Sequence, residues 1–136
     1  KIVGPVRVEL EVSDGLRIRA GLLTDVRDIR KLMNARRRAL EANDAEAMRT
    51  LLHPSYRDGA STRDEAIERL AKDLAGRKIR VTPSLYRVEL RGPTTHVDEH
   101  YTIAIDDLPV RPAIARFTLD RAAGRWKIVA GMYPPE

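Results

Sequence analysis

Two ionisable residues stand where the pattern calls for apolar ones, and they are the chain's first candidates for chemistry. The first is Arg36. Val26, Ile29, Leu32, Met33 and Leu40 recur at helical spacing. At 100° per residue, Arg36 falls about 280° round the helix from Val26, and the other four fall between about 240° and 340°. Arg36 therefore sits near the middle of the apolar stripe, while Arg37 and Arg38 turn away. A planar guanidinium there suits a carboxylate or phosphate. It can act as an anion clamp, pair with a carboxylate of its own chain, or snorkel to a rim. A buried charge first needs a partner from its own chain, which favours the last two readings over the clamp.

The second is Glu99. The stretch from Thr95 to Ile105 is the densest polar cluster of the chain. Strand parity puts Val97, Glu99, Tyr101, Ile103 and Ile105 on one face and His96, Asp98, His100 and Thr102 on the other. The first face is the more apolar and should meet the first helix, so Glu99 becomes the natural partner of Arg36. Two options follow. Glu99 can act as a general base strengthened by burial, with Tyr101 or Tyr56 donating to a developing oxyanion, as in an isomerase or dehydratase. Alternatively, Arg36 and Glu99 form a static pair, and a neighbouring arginine would weaken the base by holding it ionised. The static pair is preferred.

Other candidates are weaker. His53 and Tyr56-Arg57-Asp58-Gly59 flank Pro54. Asp58-Gly59 reads as turn chemistry and Tyr56 as a core aromatic with a polar tip. A His53–Asp58 pair is a looser acid–base candidate. On a strand, His96 and His100 are about 13 Å apart, so His96, Asp98 and His100 cannot share one ion. No metal and no cofactor is expected. Trp126 and Met132 share strand parity and should pack in the core or line a pocket. No Gly-rich phosphate loop or Gly-x-Ser-x-Gly elbow is present.

The elements that position these residues are legible from pattern. Val6 to Val12 and Leu16 to Leu22 alternate around Asp14-Gly15, which predicts a hairpin. Thr24 or Asp25 opens a helix that ends near Asn43. Asp44 caps a second helix running through Leu52, stopped by Pro54. Thr62 and Glu65 form a capping box for a third helix ending near Gly76. Strands follow: one begins at Ile79 and is interrupted at Pro83, and others cover Tyr86 to Leu90, Val97 to Ile105, Ile114 to Leu119 and Trp126 to Met132. Gly92-Pro93 reads as a turn. Helices followed by antiparallel strands predict an α+β fold.

Composition sets the outer limits. A chain of 136 residues is read as a single domain: an added hairpin at 1–23, helices at 24–76 and a curved sheet at 77–136. Cysteine is absent, which excludes disulfides and thiol chemistry. The net charge of +5 is dispersed, and aromatics make up only 4%, so nucleic-acid binding is not expected. No apolar run is long enough for a membrane span. The chain starts at Lys1 rather than Met, so a removed N-terminal segment, which could carry a targeting signal, is expected. The compartment, cytoplasmic or exported, stays open.

The order of elements, with Asn43-Asp44, Tyr56 to Gly59, Thr95-His96-Val97 and Gly124-Arg125-Trp126-Lys127-Ile128, resembles the nuclear transport factor 2-like superfamily. That group includes ketosteroid isomerase, scytalone dehydratase and polyketide cyclases. The likeness covers roughly residues 25–132 and leaves the N-terminal hairpin as an addition. It implies a curved sheet wrapped around the first helix, forming a cone with an internal pocket, and a homodimer formed through the sheet. It does not imply a reaction. The ligand-binding candidates are Arg36, Tyr56, Asp58, Glu99, Tyr101 and Trp126. The expected role is a non-catalytic module for a small polar or anionic molecule; the alternative is an isomerase- or dehydratase-type enzyme.

Overall fold

The computed structural model describes residues 6–11, 23–91 and 94–131, with the side chains of 6–11, 23–26, 58, 90 and 91 outside that description. The elements are β1 (Val6–Glu11), α1 (Leu23–Glu41), α2 (Ala45–Arg49), β2 (Arg57–Asp58), β3 (Ser61–Thr62), α3 (Arg63–Leu74), β4 (Ile79–Arg91), β5 (Thr94–Ile105), β6 (Arg111–Ala122) and β7 (Arg125–Ala130). Five strands form one antiparallel sheet in the order β1-β4-β5-β6-β7. The fold is α+β, with α1 packed against β4 and β7.

The signals of α2 and α3 act where the sequence places them, whereas α1 already begins at Leu23, so the expected caps Thr24 and Asp25 lie inside the helix. Asp44 accepts a hydrogen bond from the Ala47 amide at the start of α2. At α3, Thr62 Oγ1 accepts from the Glu65 amide, and Glu65 accepts from the Thr62 amide, closing both halves of the box. The Thr62 amide holds the Glu65 carboxyl below its usual range. Gly76 takes φ +70 just beyond α3, a left-handed conformation that favours glycine after a helix.

Three further expectations change. α2 ends at Arg49, not Leu52. Its next residues are taken by β7: the Ile128 amide donates to Leu51 O, and the His53 amide donates to Ile128 O. Leu52 thereby makes a parallel bridge to Ile128. The loop beyond Pro54 contains a minimal hairpin, in which β2 pairs with β3 across Gly59. Pro83 does not interrupt a strand, because β4 runs through it with a register shift between Pro83 and Leu85. This bulge has a clear function. Val81 is buried, and so are Tyr86 and Val88, so the inward parity switches from odd to even, and one extra residue makes that switch.

The N-terminal alternation produces β1, which pairs with β4 from Val6↔Leu90 to Glu11↔Leu85. The expected turn at Asp14-Gly15 and its return strand lie outside the described residues, as do the Gly92-Pro93 turn and Met132. The last strand ends at Ala130, before Gly131.

The core lies between the inner face of the sheet and the helices. It gathers Ile29, Leu32 and Met33 from α1, Leu70 and Leu74 from α3, and Val97, Phe117, Leu119 and Ile128 from the sheet. On the outer face, register aligns Arg87, Asp98 and Arg116 in one row and Glu89, His96 and Thr118 in the next. Neighbouring opposite charges in such rows are mildly stabilising.

Candidate functional site

Arg36 and Glu99 come together in the core. Arg36 is 5% exposed and Glu99 0%. The Arg36 Nη1 donates to Glu99 Oε1 at 2.8 Å. Helix spacing brings the guanidinium inward from α1, and strand parity brings the carboxylate inward from β5. Aromatic faces complete the setting: the guanidinium carbon lies 4.6 Å from the Phe117 ring centre and 5.8 Å from that of Tyr101. Such placement favours a cation over the negative ring face.

The pair is singly bonded, not bidentate. Arg36 Nε and Glu99 Oε2 are buried without a hydrogen-bond partner, and so is Tyr86 Oη. Tyr86 is the register partner of Glu99 on β4. Burial, and then the Glu99 carboxylate, push its phenol well above the ordinary tyrosine range. Its hydroxyl lies against Glu99 without a bond of ordinary geometry. Thr95, also fully buried on the inner face of β5, has an unpartnered Oγ1. An unmatched buried polar atom costs about 1–3 kcal/mol, so several in one cluster are a costly arrangement for a purely structural core.

The remaining candidates are distributed differently. Tyr101 is half-buried beside Arg36. Tyr56 is 1% exposed within the apolar core. His53 Nδ1 accepts from the Ser55 amide at 3.0 Å and contacts Ser55 Oγ at 2.7 Å, a local turn that occupies this ring nitrogen. Asp58 lies in β2 opposite Ser61, with its side chain outside the description. Trp126 is buried, but it lines a groove with Asp28, Lys31 and Lys127 on the flank of α1. His96, Asp98 and His100 take the outer face of β5, as parity predicts: His96 is exposed and the other two are half-buried.

Sequence reasoning missed Tyr86 as a member of the cluster; Thr95, four residues along β5 from Glu99, lies about 13 Å away and stands apart from it. For Tyr86 the signal was the cross-strand register, which one strand's sequence does not carry.

No family model and no curated protein matches the sequence. Solved structures do match. A candidate dehydratase of the NTF2-like family from Streptomyces avermitilis is 20% identical, with a TM-score of 0.67 over 79% of this chain and 93% of that one. The chain has the nuclear transport factor 2-like fold. An NTF2-like protein from Cytophaga hutchinsonii is 22% identical, with a TM-score of 0.65 over 79% and 93% of the two chains. Bd1075 from Bdellovibrio bacteriovorus is 14% identical with a TM-score of 0.68; 81% of this chain is covered, and it spans 41% of Bd1075. In this fold the curved sheet and α1 enclose a cone, and the Arg36–Glu99 cluster occupies their facing surfaces.

Proposed function

We propose that the chain is a non-catalytic binding module that holds the polar head of a small molecule at Arg36, Glu99, Tyr86 and Tyr101. The observation that supports this is the incomplete pairing of a buried ion pair. Arg36 Nε offers a donor, Glu99 Oε2 an acceptor, and Tyr86 Oη either role. The two charges already balance, so the complementary head is a neutral group that both donates and accepts, such as a hydroxyl or primary amide. An added anion would be repelled by Glu99. The proposed head-group site is limited to these four residues and does not call on Tyr56, Asp58 or Trp126.

The test is a thermal-shift screen comparing apolar alcohols and amides with carboxylates of matched shape. Alcohols or amides should raise Tm saturably, and Glu99→Gln or Tyr86→Phe should weaken the effect. Carboxylates that outperform their alcohol counterparts would overturn the reading.

A second reading keeps acid–base chemistry, supported by the candidate dehydratase among the structural neighbours. Arg36 occupies one Glu99 oxygen and balances its charge, which disfavours Glu99 as the base. The same proposal treats the chain as one domain that forms a homodimer through the outer face of the sheet. Sedimentation velocity checks the dimer: a monomer at micromolar concentration would argue against it.

A further inference from the structure

A cavity lies on the flank of α1. Asp28, Lys31 and Ala35 face it, about 80° to 140° round the helix from Arg36. It has a volume of ≈ 510 Å³, within the range of small-molecule sites. Leu32, Ala35, Leu51 and Trp126 supply apolar lining, and Lys31, Arg125, Lys127 and Asp28 supply the charges. Three cations therefore stand against one carboxylate.

Trp126 is 6% exposed, and its indole Nε1 is buried without an acceptor. The Arg121 guanidinium lies 4.6 Å from its ring centre, which holds the ring and adds positive charge beside it. Lys31 and Arg125 have no ion-pair partner among the described residues and are exposed. Lys127 gives one ammonium hydrogen to Thr50 O and keeps two more donors.

We propose that this groove binds a small aromatic carboxylate. The flat apolar body would lie on Trp126, Leu32 and Leu51, and the carboxylate would meet Lys31 and Arg125. The charge balance selects an anion, and the lining selects an apolar body. The indole N–H provides one further donor for a ligand oxygen. This site is separate from the polar cluster inside the cone and does not depend on the function proposed for it.

Trp126 is the chain's one tryptophan, so its fluorescence reports on the groove directly. The full chain is titrated with 3-phenylpropanoate at low salt, with 3-phenylpropanol as the neutral counterpart and calorimetry as a second readout. The carboxylate should bind saturably and at least about tenfold more tightly than the alcohol. Lys31→Glu and Arg125→Glu, both at exposed positions, should each weaken binding by about three- to tenfold. Tyr86→Phe, which lies in the other cluster, should leave it unchanged. The proposal is overturned if neither method gives a saturable response, if the alcohol binds as tightly, if both charge reversals leave Kd within twofold, or if Tyr86→Phe abolishes the signal.

Discussion

Replacing Arg36 by methionine keeps most of the side-chain length but removes the cation facing Glu99. The pair is 2.8 Å long and both members are buried. Removing one partner of such a pair leaves an uncompensated carboxylate, at a cost of about 3–5 kcal/mol. The variant can escape part of this by taking a proton onto Glu99. At pH 7, protonating an ordinary glutamate costs about 3.7 kcal/mol; at pH 5 it costs about 1 kcal/mol. That escape route caps the loss, so Arg36→Met should destabilise by about 3–4 kcal/mol at pH 7, or about 10–14 °C in Tm for a chain of this length. At pH 5 the loss relative to wild type should shrink to about 1–2 kcal/mol. The double variant Arg36→Met/Glu99→Gln should recover at least half of the pH 7 loss, because it replaces a stranded charge with a stranded amide. Urea denaturation of the three proteins at both pH values measures all of this, provided the m-values agree. A loss below about 1 kcal/mol at pH 7, or one unchanged between the two pH values, would refute the buried-pair reasoning.

Tyr86→Phe removes an unmatched buried hydroxyl and should be neutral or stabilising by up to about 1 kcal/mol in urea denaturation. The folded state resists ionising this phenol, so Tyr86 contributes stability that is present below the ordinary tyrosine pKa and lost as pH rises above it; Tyr86→Phe should therefore blunt base-induced unfolding above pH ~10. Thr62→Ala should cost about 1 kcal/mol at pH 7 by opening the capping box. Glu65 has a lowered carboxyl pKa, so its part in the box is present at neutral pH and lost as pH falls through that value; acid denaturation curves should show the Thr62→Ala penalty shrinking. Gly131→Ala should be the most damaging of these, because a Cβ there would lie 1.9 Å from Arg116 O and the backbone has φ +102. A loss of at least about 3 kcal/mol, or failure to fold, is expected, and circular dichroism with urea melts checks it. Gly59→Ala, with open space around it, should cost only about 1 kcal/mol.

The ion pair was legible because two independent periodicities met. One hundred degrees per residue put Arg36 inside the helical stripe, and alternation put Glu99 inside the strand. Neither inference needed tertiary information. The third member, Tyr86, was readable as inward-facing but not as Glu99's neighbour, since register is set by the whole ladder and by the bulge before Leu85. That bulge was itself written in the sequence. Ile79 and Val81 are odd and Tyr86, Val88 and Leu90 are even, but proline at 83 reads more readily as a break than as a phase change. The end of α2 depended on Ile128, far along the chain, and local signals do not carry such a partner. Trp126 had the parity of a core residue and is buried as one; its position near the start of β7 also sets it beside the flank of α1.

The bridge between Leu52 and Ile128 has a consequence for assembly between molecules. β7 terminates the order of the sheet, and its outward amides and carbonyls could template a strand from another molecule. The segment after α2 takes one amide and one carbonyl of Ile128 out of that role. Gly131 then reaches a backbone approach that no side chain tolerates, and the strand stops. The segment after α2 thus acts as a gatekeeper. Loosening it, for example by replacing Leu52 with a polar residue, should promote intermolecular β-assembly before it causes global unfolding.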